Sequence, residues 1–196
     1  RPGTQDASKD RIYVVSGHYD SRVSDVMNYT ADAPGANDDA SGTAATMELA
    51  CVMARHKFDA TIVFMAVAAE EQGLLGARHW ATQARQKNLN IAGMYTNDII
   101  GSSRADNGKV DNKQVRLFSQ SIPCLLYTSD AARQLVATGG DSDSLSRQLA
   151  RHTKEMGERY VKGFKVSVIH RADRYLRGGD HMPFLEQGYA ALRFTE

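Results

Sequence analysis

The chain has 196 residues, which is long enough for a single domain with a sizeable core. Its composition is ordinary for a globular protein, and a formal net charge of +1 gives no electrostatic sign of a nucleic-acid partner. The longest apolar run, residues 61–69, is too short to cross a bilayer, so we expect no membrane insertion. Composition does not indicate an oligomeric state.

The two cysteines, Cys51 and Cys124, are too few for a disulfide framework. One disulfide between them could form, but the spacing gives no warrant for it. The chain starts at Arg1 without a methionine or signal peptide and stops at Glu196 directly after a strand-like run. We therefore expect a fragment that is incomplete at both ends, in which missing targeting signals carry no information.

Short apolar runs alternate with helical patterns along the chain. The β-branched run Ile12–Val15 predicts a buried strand that stops at Gly17, and Thr61–Ala68 predicts a central strand buried on both faces. Further strands are predicted at Met94–Asn97, Phe164–Ile169 and Tyr189–Phe194.

Three amphipathic helices are predicted between these strands. The first has Asp39 and Ser41 as capping residues and runs to about His56, and the third lies behind a cap at Asp141 or Asp143. The predicted buried faces are Ala45, Leu49, Val52 and Met53 in the first helix, Ala77, Trp80, Ala81 and Ala84 in the second, and Leu145, Leu149, His152 and Met156 in the third.

This alternation predicts an α/β fold, a three-layer α/β/α sandwich with a mostly parallel central sheet, as one domain over residues 1–196. In such sheets, ligands bind beyond the carboxyl ends of the strands. Four polar residues directly follow predicted strands: His18, Glu70, Glu71 and Asp98. The pattern therefore gathers them at one edge of the sheet.

Five segments are rich in metal-ligand residue types. Histidine nitrogens and carboxylate oxygens without thiolates are typical of a catalytic zinc site. Clustered carboxylates would repel one another without a cation, and bound divalent metals would relieve that repulsion. Taken singly, each segment has a structural explanation, such as a capping turn or a helix opening, but their joint occurrence at strand ends favours a metal site. The segments are G-H-Y-D-S (17–21), G-A-N-D-D-A-S-G (35–42), A-E-E-Q-G (69–73), T-N-D (96–98) and G-G-D-H (178–181).

Together, these segments resemble peptidase family M28 over the stretch from Ile12 to Glu196, apart from residues 124–132. The resemblance implies that one zinc ion is held by His18, Asp38 and Asp98. It implies a second zinc ion on Asp38, Glu71 and His181, with Asp38 bridging the two. It also implies a cis peptide bond between Asp38 and Asp39.

The same resemblance implies a zinc-dependent aminopeptidase, an exopeptidase that removes N-terminal residues from peptide substrates with two Zn²⁺ per chain. Glu70 matches the general base, which would take a proton from a water shared by the metals and pass it to the leaving amine. Asp20 matches the partner of His18. It lies two residues beyond His18, and its carboxylate could accept the free ring N–H. Family habit favours a secreted or periplasmic location.

Several alternatives remain open at this stage. The scaffold also supports carboxypeptidase, dipeptidase or glutaminyl cyclase chemistry, and the retained His18 favours two metals over the single zinc of cyclases. A non-catalytic binding module is disfavoured by the complete ligand set, and an inactive fragment is a third alternative.

Asp39 and Asp180 could either support a ligand or cap a helix. Four residues before His181 could line the cleft, with Tyr175 as a candidate oxyanion donor: Arg171, Arg174, Tyr175 and Arg177.

Residues 124–132 (CLLYTSDAA) fit neither the flanking helix patterns nor the family resemblance. They read like the translation of a transposase adapter used in DNA sequencing. The ordinary interpretation is a short surface loop. We predict that residues 121–138 carry no evolved function and are locally disordered.

Overall fold

The structure, a computed structural model, describes residues 10–120, 129–171 and 178–196. A six-stranded sheet forms its centre, with the strand order β2-β1-β3-β6-β4-β5. Neighbouring strands are parallel except β4 and β6, which are antiparallel. The strands are β1 (Arg11–His18), β2 (Thr61–Val67), β3 (Asn90–Asn97), β4 (Gln114–Phe118), β5 (Lys165–Ile169) and β6 (Ala191–Thr195).

Helices pack on both faces of this sheet. The side chain of Val14 packs in a core shared with α2 and α5, whereas Gly17 lies against α1 on the opposite face. These contacts confirm the predicted α/β sandwich. The helices are α1 (Ser41–Met53), α2 (Leu75–Gln86), α3 (Asp130–Ala137), α4 (Leu145–Tyr160) and α5 (His181–Glu186).

The buried face of α2 is confirmed, whereas those of α1 and α4 are wrong in part, since Leu149 of α4 packs against the core as predicted. Leu49 and Val52 of α1 are exposed, and its buried residues are Gly42 and Thr46. Small residues are buried there because α1 lies directly on β1, where a Cβ on Gly17 would be 2.4 Å from the carbonyl carbon of Gly42.

In α4 as well, the residues that are buried differ from the predicted ones. Leu145 is exposed, whereas Ser146 and Ala150 are buried. The cap is Ser144, whose side chain accepts the N–H of Arg147, and neither Asp141 nor Asp143 caps the helix.

Strand β4 is the one strand of the described sheet that the sequence did not predict. Within the segment predicted to be disordered, residues 121–128 lie outside the described residues, and residues 130–137 form α3, so the expected disorder is wrong for that part.

Cys51 is a free, exposed thiol, and Cys124 lies outside the described residues. No helix in the described ranges has the length and apolarity needed to cross a membrane.

Candidate metal centre

The predicted ligands meet at the edge of the sheet where β1, β2 and β3 end. His18 is the last residue of β1, Asp98 follows β3, and Glu70 and Glu71 lie in the turn after β2. Parallel strands place their carboxyl ends together, which explains why separate segments of the chain converge. Asp38 approaches this edge on an irregular turn before α1, and its peptide bond to Asp39 is cis, as predicted.

Among the described residues, one group of three offers metal-ligand atoms that all lie within 4.8 Å of one another: His18, Asp38 and Asp98. We call this group the primary cluster. Nε2 of His18 lies 3.2 Å from Oδ1 of Asp38 and 4.0 Å from Oδ1 of Asp98. His18 and Asp98 are buried, whereas the Asp38 side chain is 49% exposed, so the cluster is open on one side.

The donor set of the primary cluster fits a divalent metal. Within the described chain, the buried Nε2 of His18 makes no hydrogen bond of acceptable geometry. Burial lowers the pKa of His18, but the nearby Asp38 carboxylate and the charge of Asp98 outweigh it and raise the pKa to about 10. A bound cation would take the place of that proton, and one imidazole with two carboxylates suits zinc.

Asp20 supports the edge differently from its predicted role. Its carboxylate oxygens accept the backbone N–H groups of Glu70 and Glu71, each at 3.1 Å. Its backbone carbonyl lies 3.0 Å from Nδ1 of His18, closer than its carboxylate at 3.6 Å. Because a carbonyl can only accept, Nδ1 of the neutral ring carries the hydrogen and Nε2 is left as the ligand atom.

Asp39 is buried and holds three segments together. Its Oδ2 accepts the N–H of His18 at 3.0 Å, and its Oδ1 accepts those of Gly42 at 3.0 Å and Ile99 at 3.2 Å. Burial, followed by the charge of Asp98, raises the pKa of Asp39 to about 7. The sequence left its role open between supporting a ligand and capping a helix, and these bonds do both.

The surroundings of Glu70 disfavour its charged form. Burial and then the charge of Asp98 raise the pKa of Glu70 to about 8. A carboxylate with a pKa near neutrality can both take up and release a proton under physiological conditions. A divalent cation nearby would lower this pKa by the same electrostatic logic.

The residues of the second predicted ligand set are not gathered as closely as those of the primary cluster. Glu71 forms an ion pair with Arg22, with 2.7 Å between Oε2 and Nε. His181 is fully buried at the start of α5. Asp38, Glu71 and His181 do not form a second close group within the described residues. This ligand set therefore stays a prediction.

The segment that leads into α5 contributes one further carboxylate. Asp180 is buried, and neither of its carboxylate oxygens has a hydrogen-bond partner among the described residues. Burial raises the pKa of Asp180 to about 7. Its side chain does not cap α5, although the residue occupies the capping position. Of the predicted cleft residues, Arg174, Tyr175 and Arg177 lie outside the described residues.

Sequence reasoning missed Arg193. This buried residue of β6 pairs with Asp98, with 3.1 Å between Nη2 and Oδ2, and donates through Nη1 to the carbonyl of Gly178 at 2.9 Å. The position of Arg193 inside a predicted apolar strand could have indicated this role, because an arginine in such a strand is buried only when it is paired.

A family model for peptidase family M28 matches residues 2–196 of the chain. The chain belongs to peptidase family M28. Over 187 residues it is 51% identical to a probable zinc metalloprotease of Leptosphaeria maculans, a match that covers 95% of this chain and 43% of that protein. The chain spans about two fifths of the length of the curated relatives that it matches.

Solved structures agree on the fold of this M28 chain. A zinc aminopeptidase from Bacillus subtilis superposes with a TM-score of 0.65 at 24% identity, over 97% of this chain and 37% of that one. An aminopeptidase from Aneurinibacillus sp. strain AM-1 gives a TM-score of 0.65 at 24% identity, over 100% of this chain and 37% of that one. At this identity the likeness concerns the fold.

Proposed function

We propose that this chain is the catalytic part of a zinc-dependent exopeptidase that removes N-terminal residues from peptides. The observation that carries the proposal is the primary cluster of His18, Asp38 and Asp98 at the same edge as Glu70. Family membership supports peptide-bond hydrolysis, and the names of the two structural neighbours support the aminopeptidase direction.

The proposed site has His18, Asp38 and Asp98 holding one zinc ion, and Asp38, Glu71 and His181 holding a second. Bound zinc would polarise the scissile carbonyl and lower the pKa of a nearby water. Glu70 takes the proton from the attacking water and then donates it to the leaving amine. Asp20 holds the backbone of Glu70 in place through its N–H, which keeps the base oriented.

The substrate of this reaction is a peptide with a free amino terminus. A secreted or periplasmic location remains a prediction of the family resemblance.

The proposal is tested by comparing hydrolysis of leucine-p-nitroanilide with that of its N-acetylated form. We expect only the free amine to be cleaved. The Glu70→Gln variant should lose at least about 100-fold in kcat while it retains its zinc. The matched control is Glu48→Gln, which changes an exposed glutamate of α1. Equal cleavage of both substrates would contradict an aminopeptidase, and full activity in Glu70→Gln would contradict the assigned base.

A further inference from the structure

Arg22 lies in the loop after β1 and holds the carboxylate of Glu71. Its Nε donates to Oε2 of Glu71 at 2.7 Å. Its Nη1 donates to the carbonyls of Val23 at 3.3 Å and Ser24 at 3.4 Å, so the guanidinium is anchored by its own loop. The Arg22 side chain is 31% exposed and that of Glu71 is 14% exposed, so the pair is partly shielded from water.

The ion pair between Arg22 and Glu71 distinguishes the second predicted ligand set from the primary cluster. The primary cluster has its ligand atoms within 4.8 Å of one another, and Glu71 is not part of such a group in the described chain. Asp98 is also paired with an arginine, but Arg193 contacts its Oδ2 and leaves Oδ1 facing Nε2 of His18. The ion pair of Asp98 therefore leaves one carboxylate oxygen facing the cluster, whereas Glu71 is paired with Arg22 and takes no part in the close group.

We propose that Arg22 competes with the second metal ion for the carboxylate of Glu71. This inference rests on the two-metal site of the proposed function. A charge-assisted hydrogen bond from a guanidinium is among the stronger polar contacts of a protein, and a metal must exchange or weaken it to use Glu71. The ligand atoms of the primary cluster already lie within 4.8 Å of one another, so we expect this set to fill first and the second set to fill at higher zinc concentration.

The charge of Arg22 acts in the same direction. A guanidinium beside Glu71 repels an incoming cation, and a partly buried charge is screened less than an exposed one. Removal of this charge should thus favour the second ion more than the first, because Arg22 contacts Glu71, which belongs to the second ligand set alone.

The test is a zinc titration of EDTA-stripped protein in competition with a chromophoric chelator, which resolves two dissociation constants. We expect Arg22→Gln to tighten the second constant about tenfold and to leave the first nearly unchanged. Arg22→Lys keeps the charge and should stay close to wild type. Arg55→Gln removes an exposed positive charge of the same sign and serves as the control for net charge.

The outcomes are distinguishable. Two zinc ions in the wild type with an unchanged or weaker second constant in Arg22→Gln would overturn the competition and leave the proposed function standing. A weaker constant would assign Arg22 to orienting Glu71 instead. One zinc ion in the wild type and two in Arg22→Gln would support the competition. No bound zinc in either protein would overturn the proposed function itself.

Discussion

Arg193 and Asp98 form a buried ion pair, with 3.1 Å between Nη2 and Oδ2 and side chains that are 8% and 4% exposed. The same guanidinium donates to the carbonyl of Gly178, two residues before Asp180 in the segment that leads to His181. One arginine of β6 therefore connects the carboxylate that follows β3 with the segment that carries another predicted ligand. The pair also fixes which oxygen of Asp98 faces His18.

We expect Arg193→Met to weaken zinc binding at the primary cluster about 10–100-fold. The substitution leaves Asp98 as a buried carboxylate without its fixed partner, which favours protonation and lets the side chain rotate. Competition titration with a chromophoric chelator measures the change. Arg193→Lys keeps the charge but cannot reproduce the two-pronged contact, so it should recover only part of the affinity.

The matched control for this prediction is Arg147→Met. Arg147 forms a partly buried ion pair with Asp141 at the start of α4. Its loss should lower the thermal stability without changing zinc affinity. Wild-type zinc affinity in Arg193→Met would mean that Asp98 needs no fixed partner to act as a ligand.

Asp20→Asn separates two roles of one residue. An amide offers one oxygen instead of two and turns an N–H toward one of the backbone donors of Glu70 and Glu71, so Glu70, the proposed base, loses its fixed position. We expect kcat/KM to fall by up to about 100-fold. Zinc affinity at the primary cluster should change little, because His18 contacts the backbone carbonyl of Asp20, which the substitution keeps.

Steady-state kinetics and zinc titration of the same Asp20→Asn preparation check this split. A loss of zinc affinity as large as that of His18→Ala would show that the Asp20 carboxylate acts mainly through His18, as the sequence had predicted.

Gly42→Ala should destabilise the edge of the sheet. A Cβ at this position would lie 2.1 Å from the carbonyl oxygen of Asn97 and 2.6 Å from both carboxylate oxygens of Asp39. The Asn97 obstacle is backbone, so relief requires the helix to move. We expect a loss of about 1–3 kcal/mol, seen as a fall of several degrees in Tm.

Gly157→Ala is the comparison for this experiment. Its Cβ would lie 2.9 Å from Cγ2 of the buried Val166, so this side chain must shift slightly. Alanine favours the helix over glycine by about 1 kcal/mol, which offsets part of that cost, so we expect a smaller loss of stability than in Gly42→Ala. Equal melting temperatures for Gly42→Ala and the wild type would show that α1 can shift away from β3 at no cost.

The ligand-bearing edge could be predicted because its strands are apolar runs that end in polar residues. Val14 and Met94 are fully buried, and the polar residues that end or follow their strands are His18 and Asp98. The short β4 was missed because its five residues include Gln114 and Arg116 beside only three apolar residues. An interrupted pattern of that length gives no clear period.

Helix faces were harder to predict than strands. Hydrophobic periodicity placed Leu49 and Leu145 in the core, yet both are exposed, because α1 and α4 bury small residues where they approach the sheet closely. Side-chain volume decided the contact there, and a hydrophobicity pattern does not encode it. The contacts of Asp20 and Arg193 likewise depend on segments that are distant in sequence, which spacing alone cannot reveal.

The central claim is that a zinc ion on His18, Asp38 and Asp98, beside Glu70, makes this chain a peptidase. The most direct measurement is leucine-p-nitroanilide hydrolysis by the purified chain before chelation, after EDTA treatment and after zinc is restored, with bound zinc counted in each sample. The account predicts that activity and zinc content are lost together and return together, and that His18→Ala recovers neither fully. Hydrolysis that persists in metal-free protein, or a chain that binds no zinc, would contradict it.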